Sequence, residues 1–339
     1  MTNPTVEAAE RQLAAIEGAE GGALLFSSGM AAVHAVLMHK LSKGDHIVAG
    51  NCLYGLSFKF IKSLPRWGID VTIVDTTDIA QVKAAMKENT KILYIETPAN
   101  PTCAVTDIAA CAQIKSQYDC ILICDNTFQS PVLCKPIELG ADISLYSTTK
   151  SINGMGTSVG GALTVKDAAL CKEIKAFRSL TGGNTSPFDA FLVSNGLKTL
   201  PVRIRQMAEN GMTVARWLET NDDVKVVHHC GLPSHPSYEL QLKQTTASAS
   251  CFAFETCHGF EFAKNVLRNV KVLSLAVSLG TCDSLVQHPA SMTHLSVPAE
   301  DRIKAGITDT LIRISIGLEH PQDIINDLDQ AFKAAKALL

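Results

Sequence analysis

The chain has 339 residues, 46% of them hydrophobic and 19% charged, with a formal net charge of −3. That length passes the roughly 250–300 residues at which single cores stop growing, so two lobes are expected. The charge leaves no basic footprint for nucleic acid, and no apolar run reaches the ~20 residues of a membrane helix.

Val6, Leu13 and Ile16 fall near helical spacing ahead of Gly18, a natural stop, which predicts a helix over 6–17. An apolar run at 22–26 ends in Ser27-Ser28-Gly29-Met30, and a helix over 31–41 follows. Strands are predicted at 46–49, 70–74, 91–96, 121–124 and 143–146, with helices at 57–64, 78–88 and 107–117 among them. Apolar strands alternating with helices argue for βαβ units and a mainly parallel α/β sheet. Ligands of such sheets bind beyond the carboxyl ends of the strands. Ser27, Tyr54, Glu96, Asp125 and Lys150 all stand at or shortly after such ends.

The second half differs. A long connecting helix is predicted over 194–218, then strands at 224–227, 249–254 and 311–316. The last helix is amphipathic, with Ile324, Ile325, Leu328, Phe332, Ala335 and Leu339 on one side. The lobes are expected to be 1–200 and 201–339.

The eleven cysteines are odd in number and form no C-x-x-C pair. Cys120, Cys124 and Cys251 sit in apolar runs, where cysteine acts as a small hydrophobe. A reducing, cytoplasmic compartment is expected. Met1-Thr2-Asn3-Pro4 shows neither the charged nor the apolar region of a signal peptide. His228-His229-Cys230 has no second cluster to complete a metal site, so no metal is expected.

The chemistry centres on Lys150, which ends the run Ser147-Thr148-Thr149-Lys150 after one strand, and on Asp125, which ends another. Pyridoxal 5′-phosphate needs such a pair: an amine to form its imine and a carboxylate to keep its ring nitrogen protonated. Ser28, Gly29 and Met30, between a strand and a helix, offer free N–H groups and a positive dipole end for a phosphate. Ser147 and Thr149 add hydroxyls, and Tyr54 offers a ring to stack on the cofactor. Taken singly, Lys150 reads first as a loop-tip lysine and Tyr54 as a core aromatic; only their combination with the other segments points to the cofactor.

These segments, with Asn3-Pro4-Thr5, the run from Glu96 to Thr102, Asp125-Asn126-Thr127-Phe128, the Gly231 to Pro236 run, the His288 to His294 run and Arg313 to Glu319, resemble the Cys/Met-metabolism PLP enzymes. This is the fold-type I transsulfuration group, which includes cystathionine γ-lyase, methionine γ-lyase and cystathionine γ-synthase. The likeness covers nearly the whole chain in the family's order. It implies a PLP-dependent transferase fold, with a smaller C-terminal lobe, and a homodimer or a dimer of dimers. It also implies a carbon–sulfur lyase acting at Cγ of methionine, homocysteine or cystathionine, releasing a 2-oxo acid, ammonia and a thiol. Lys150 and Tyr54 would be catalytic; Ser28, Gly29, Met30, Tyr54, Asp125, Thr127, Ser147, Thr149 and Lys150 would hold the cofactor. Asn100, Ser278 and Arg313 would receive the substrate carboxylate, for which a guanidinium fork is suited.

Three departures stand out. The chain opens at Asn3-Pro4-Thr5 without the Tyr-x-Arg pair relatives carry ahead of it, so that arm is expected to be absent. Ser151, Met155 and Thr157 replace an aromatic, an imidazole and a carboxylate after the lysine. Val277 resembles methionine γ-lyases, where cystathionine enzymes commonly have Glu; Leu56 stands where methionine γ-lyases often carry Cys. The alternatives are a γ-replacement synthase, or an impaired relative with a binding or regulatory role.

Overall fold

The computed structural model describes residues 2–293, 295 and 299–338. His294 of the His288 motif and Leu339 of the terminal helix lie outside that set. Two compact units emerge: Met1–Pro98 with Val105–Pro201 and Gln244–Thr246, and Ala99–Ala104 with Val202–Lys243 and Ala247–Leu339.

The first unit alternates as the sequence predicts. Its elements are α1 (Pro4–Glu17), β1 (Gly22–Phe26), α2 (Gly29–Lys40), β2 (His46–Gly50), α3 (Gly55–Ser63), β3 (Asp70–Val74), α4 (Ile79–Ala85) and β4 (Thr90–Glu96). Then come α5 (Ile108–Lys115), β5 (Ile121–Asp125), α6 (Ser130–Leu133), β6 (Ile143–Tyr146), β7 (Gly161–Val165) and α7 (Ala168–Thr181). The seven strands lie in the order β1-β7-β6-β5-β4-β2-β3. From β6 to β3 every pairing is parallel. β7 is antiparallel to both β6 and β1. Apolar layers cover both faces: Val33, Val36 and Leu37 of α2 on one, Ile108, Cys111 and Ile114 of α5 on the other.

Local chemistry sets the helix ends. Ser28, Asp78, Asp107 and Asp167 each cap a helix by accepting from a backbone N–H one turn in. α4 is shorter than the predicted 78–88 because Met86 turns extended, ending it. The long helix α8 runs Pro187–Glu219, starting earlier than predicted and carrying Pro201 within it.

The second unit holds β8 (Val224–His228), α9 (Tyr238–Gln244), β9 (Cys251–Thr256), α10 (Gly259–Asn269), β10 (Ser274–Leu275), β11 (Leu285–Gln287), α11 (Ala299–Lys304), β12 (Leu311–Ser315) and α12 (Pro321–Lys336). Its five strands order as β10-β11-β12-β9-β8, antiparallel except for the β10–β11 pair. Phe332 of α12 stacks on Phe262 and meets Phe254 edge-on, which seats the amphipathic helix. No helix among the described residues is long and apolar enough to cross a membrane.

One glycine in β7 positions the site. A Cβ on Gly161 would lie 2.3 Å from Ser28 O and 2.7 Å from Gly29 Cα, so only glycine lets the start of α2 rest on this strand. Gly161→Ala should therefore lower the melting free energy by about 1–3 kcal/mol, as overpacking does. A thermal melt unchanged by that substitution would contradict the packing.

Candidate active site

Asp125 ends β5 with its side chain almost wholly buried, 7% exposed. Thr127 donates to Oδ1 twice, from its hydroxyl at 2.6 Å and its amide at 3.1 Å. Among the described residues both hydrogen bonds to this carboxyl fall on Oδ1, which leaves Oδ2 for another donor. Burial pushes the carboxyl up to about 6, while the two Thr127 hydrogen bonds pull the other way. Tyr94, on β4, is itself fully buried, and its hydroxyl has no hydrogen-bond partner among the described residues. A buried acid with an oxygen that Thr127 leaves open suits a cationic N–H.

The Thr127 hydroxyl has a second task. It accepts from Ser147 N at 3.0 Å, so one oxygen ties the end of β5 to the end of β6. Ser147 in turn stands beside the start of α2: a Cβ on Gly29 would lie 3.4 Å from Ser147 Oγ. Ser28 Oγ accepts from Ala31 N at 3.0 Å, and Ser28 O from Ala32 N at 3.2 Å. The N–H groups of Gly29 and Met30 are left at the open end of the helix, where no earlier turn can accept them. The dipole there favours an anion. Ser147 Oγ makes no hydrogen bond among the described residues, whereas Thr149 Oγ1 is engaged with the Gly160 amide at 3.0 Å.

Lys150 is half-buried in the turn that follows β6. Its amide donates to Ser147 O at 3.1 Å and its carbonyl accepts from Gly154 N at 2.8 Å, so the backbone of the turn holds itself. The divergent segment after it is knotted around Asn153. The Asn153 amide donates to Ser158 Oγ at 2.6 Å, and its Oδ1 accepts from Thr157 Oγ1 at 3.1 Å. This knot fixes the segment without the aromatic, imidazole and carboxylate that relatives place there.

Tyr54 precedes α3 and is 43% exposed, which removes the core-aromatic reading. Its amide donates to Glu96 Oε2 at 2.7 Å, and burial with the Glu96 charge holds its phenol above the usual range. Glu96 was legible only as part of a motif; its role as the anchor of Tyr54 was not.

In the second unit, Arg313 of β12 is 2% exposed. It donates to Asn100 Oδ1 at 3.1 Å, Val277 O at 2.8 Å and Ser278 O at 2.6 Å. With its amide oxygen turned inward, Gln287 Oε1 accepts from Arg313 Nε at 3.1 Å. All these acceptors are neutral, and among the described residues no carboxylate pairs with this guanidinium. The structure thus brings Asn100, Ser278 and Arg313 together, though Ser278 contributes its carbonyl. Gln287 is the member that sequence reasoning missed.

Residues 1–333 match the family described as Cys/Met metabolism PLP-dependent enzyme. The chain belongs to that family. Its similarity to L-methionine γ-lyase of Porphyromonas gingivalis is 44% identity over 330 residues, covering 96% of this chain and 82% of the relative. Cystathionine γ-lyase of Mus musculus is 42% identical over 98% of this chain and 84% of its own length. The crystal structure of cystathionine γ-lyase from Lactobacillus plantarum complexed with L-serine superposes with a TM-score of 0.96 at 35% identity, covering 98% and 87%. The protein is a pyridoxal-phosphate-dependent carbon–sulfur lyase of the Cys/Met-metabolism group.

The residues present suit that cofactor. The open oxygen of Asp125 matches a protonated ring nitrogen, and the free amides of Gly29 and Met30 with the Ser147 hydroxyl match a phosphate.

Proposed function

We propose that the lyase acts at Cγ of a sulfur amino acid, with methionine or homocysteine preferred over cystathionine. The observation that carries the site assignment is the pairing of a buried Asp125, open at Oδ2, with Lys150 at the next strand end. Val277 supports the choice of substrate.

In this reading Asp125 keeps the ring nitrogen protonated, Tyr54 stacks on the ring, and Thr127 holds Asp125 in place. Gly29, Met30, Ser147 and Thr149 bind the phosphate, and Ser28 frames the helix end that presents it. Arg313, with Asn100 and Ser278 around it, receives the substrate carboxylate. Bound there, pyridoxal phosphate supplies the electron sink for the carbanion formed at Cα. Lys150 Nζ takes the proton from Cα and moves protons at Cβ, which lets the thiol leave from Cγ. Water then releases the 2-oxo acid and ammonia.

We place the enzyme in the cytoplasm as a homodimer or dimer of dimers. All eleven cysteines are free, as a reducing compartment requires, and Leu180, Phe188 and Phe191 stand exposed on the single chain. Light scattering on the purified protein gives the mass directly.

The test is a substrate panel. Protein supplied with pyridoxal phosphate should form 2-oxobutanoate from methionine and homocysteine faster than from cystathionine. A visible cofactor band without 2-oxo acid from any of the three would sink the lyase assignment. Arg313→Leu should raise KM by roughly 10- to 100-fold, the worth of a charge-assisted bond, with kcat reduced less. An unchanged KM would remove Arg313 from the carboxylate site.

A further inference from the structure

α1 buries two carboxylates, and the two are treated differently. Glu10 is paired with the buried Arg178 at 2.6 Å. Glu17, at the end of the helix and wholly buried, has no ion pair among the described residues. Its oxygens instead accept hydroxyls from the sheet: Ser144 Oγ at 2.7 Å and, in a very short bond, Tyr146 Oη. Burial raises its carboxyl to about 7. The charges nearest it are Lys135, which favours its ionised form, and Glu138, whose carboxylate is paired with Lys135. The nearby thiols of Cys124 and Cys134 are themselves held protonated by burial. A glutamine or an apolar side chain would fill this place at lower cost, so the acid calls for an explanation beyond packing.

The explanation lies in what Tyr146 touches next. Tyr146 Oη accepts from Asn126 Nδ2 at 3.0 Å, and that amide also donates to Cys134 O at 2.8 Å. Asn126 sits between Asp125 and Thr127, and Tyr146 directly precedes Ser147. Successive residues of a strand point to opposite faces. Beyond their backbone pairing, the ends of β5 and β6 are therefore tied by side chains on both faces: by Thr127 on the face that carries Asp125, and by Asn126–Tyr146–Glu17 on the reverse face.

We propose that Glu17 is a positioning residue of the cofactor site, acting through Tyr146 and Asn126 to fix Asp125 relative to the Ser147–Lys150 turn. The inference rests on the assignment of Asp125 and Lys150 to the cofactor made above. The backbone holds the strand ends together, with Asn126 N donating to Leu145 O at 2.9 Å, and Thr127 adds a side-chain tie on one face; the reverse-face chain adds the matching side-chain tie on the other. The Glu17 carboxyl does so from a helix whose other buried acid, Glu10, is locked to Arg178.

The experiment compares Tyr146→Phe, Glu17→Gln and the double variant with Ser144→Ala, which removes a bond to the same carboxylate but lies outside the chain. The readouts are pyridoxal phosphate affinity by titration, the position of the bound cofactor's visible band, the kcat/KM split and the melting temperature. Tyr146→Phe and Glu17→Gln should each weaken cofactor affinity about tenfold, shift the band and lower kcat more than KM. The double variant should be no worse than either single change. Ser144→Ala should shift the melt and leave affinity and band in place. Tyr146→Phe or Glu17→Gln with lower stability but wild-type affinity, band and kcat would overturn the proposal, as would equal effects from Ser144→Ala. Wild-type protein that fails to bind pyridoxal phosphate would instead overturn the cofactor-site assignment on which the proposal stands.

Discussion

Lys150→Ala should fold, lack the visible cofactor band that borohydride removes from the wild type, and lose turnover by on the order of 10³ to 10⁴. Folding should survive because the turn is held by backbone: Lys150 N to Ser147 O, and Gly154 N to Lys150 O. The residue is half-buried, so truncating its side chain opens no large cavity in a packed core. Pyridoxal phosphate should still bind, through Ser147, Thr149 and the start of α2, but reversibly, and dialysis should strip it. Added primary amines should restore part of the lost turnover if the missing function is the proton carrier. A Lys150→Ala protein that retained the borohydride-sensitive band would move the assignment to another lysine.

Asp125→Asn carries the second large effect. An amide cannot hold a proton on the ring nitrogen by charge, so the electron sink weakens and kcat should fall about 100-fold or more. The same change has a stability consequence in the cofactor-free protein, with a definite sign. Burial raises the Asp125 carboxyl from 3.8 to about 6 in the fold. The folded state therefore favours the protonated acid; its contribution is complete below 3.8 and is lost as pH rises through 6. The advantage of Asp125→Asn over the cofactor-free wild type should grow between pH 4 and pH 6 and then level. Melting curves of the two proteins across pH 4 to 8 measure it directly. A gap that stays constant across that range would mean that Asp125 is ionised at its ordinary acidity and that its burial carries no such penalty. Bound cofactor should reverse the pattern in the wild type, because a cationic ring nitrogen favours the carboxylate.

The strand–helix alternation of the first unit was legible because buried parallel strands are apolar runs and the intervening helices start on capping side chains such as Asp107. Strand direction was not. Nothing in Gly161–Val165 announces that this run lies antiparallel between β1 and β6, since pairing is decided by the rest of the sheet. α7, α10 and the short strands β10 and β11 also went unread, the strands because two or three residues carry no periodicity. Within the proposed site, the residues assigned to cofactor and substrate sit in recognisable motifs; those assigned to the cofactor cluster at or just beyond strand and helix ends, whereas Arg313 lies in the middle of β12. Gln287, beside Arg313, and Glu17, proposed to position Asp125, lie within a strand and a helix, where each reads as one more polar residue; Glu96 stands in a motif, but its hold on Tyr54 does not show there. Their roles depend on distances that only the folded chain fixes. Thr127 falls between the cases: its motif marked it as near the cofactor, while its bond to the Ser147 amide was invisible.

The place of β7 bears on how the protein is made. β1 has a single strand partner in the sheet, and that partner is encoded some 140 residues later in the chain. As the chain leaves the ribosome, β1 therefore remains an unpaired edge, and the start of α2 lacks the glycine platform it rests on, until residue 165 has emerged. The coenzyme can recognise only the closed sheet, and what binds the native state alone stabilises it by mass action. Supply of the coenzyme should then influence how much nascent polypeptide survives, and deprivation should appear first as proteolysis of new chains rather than as slow catalysis by old ones.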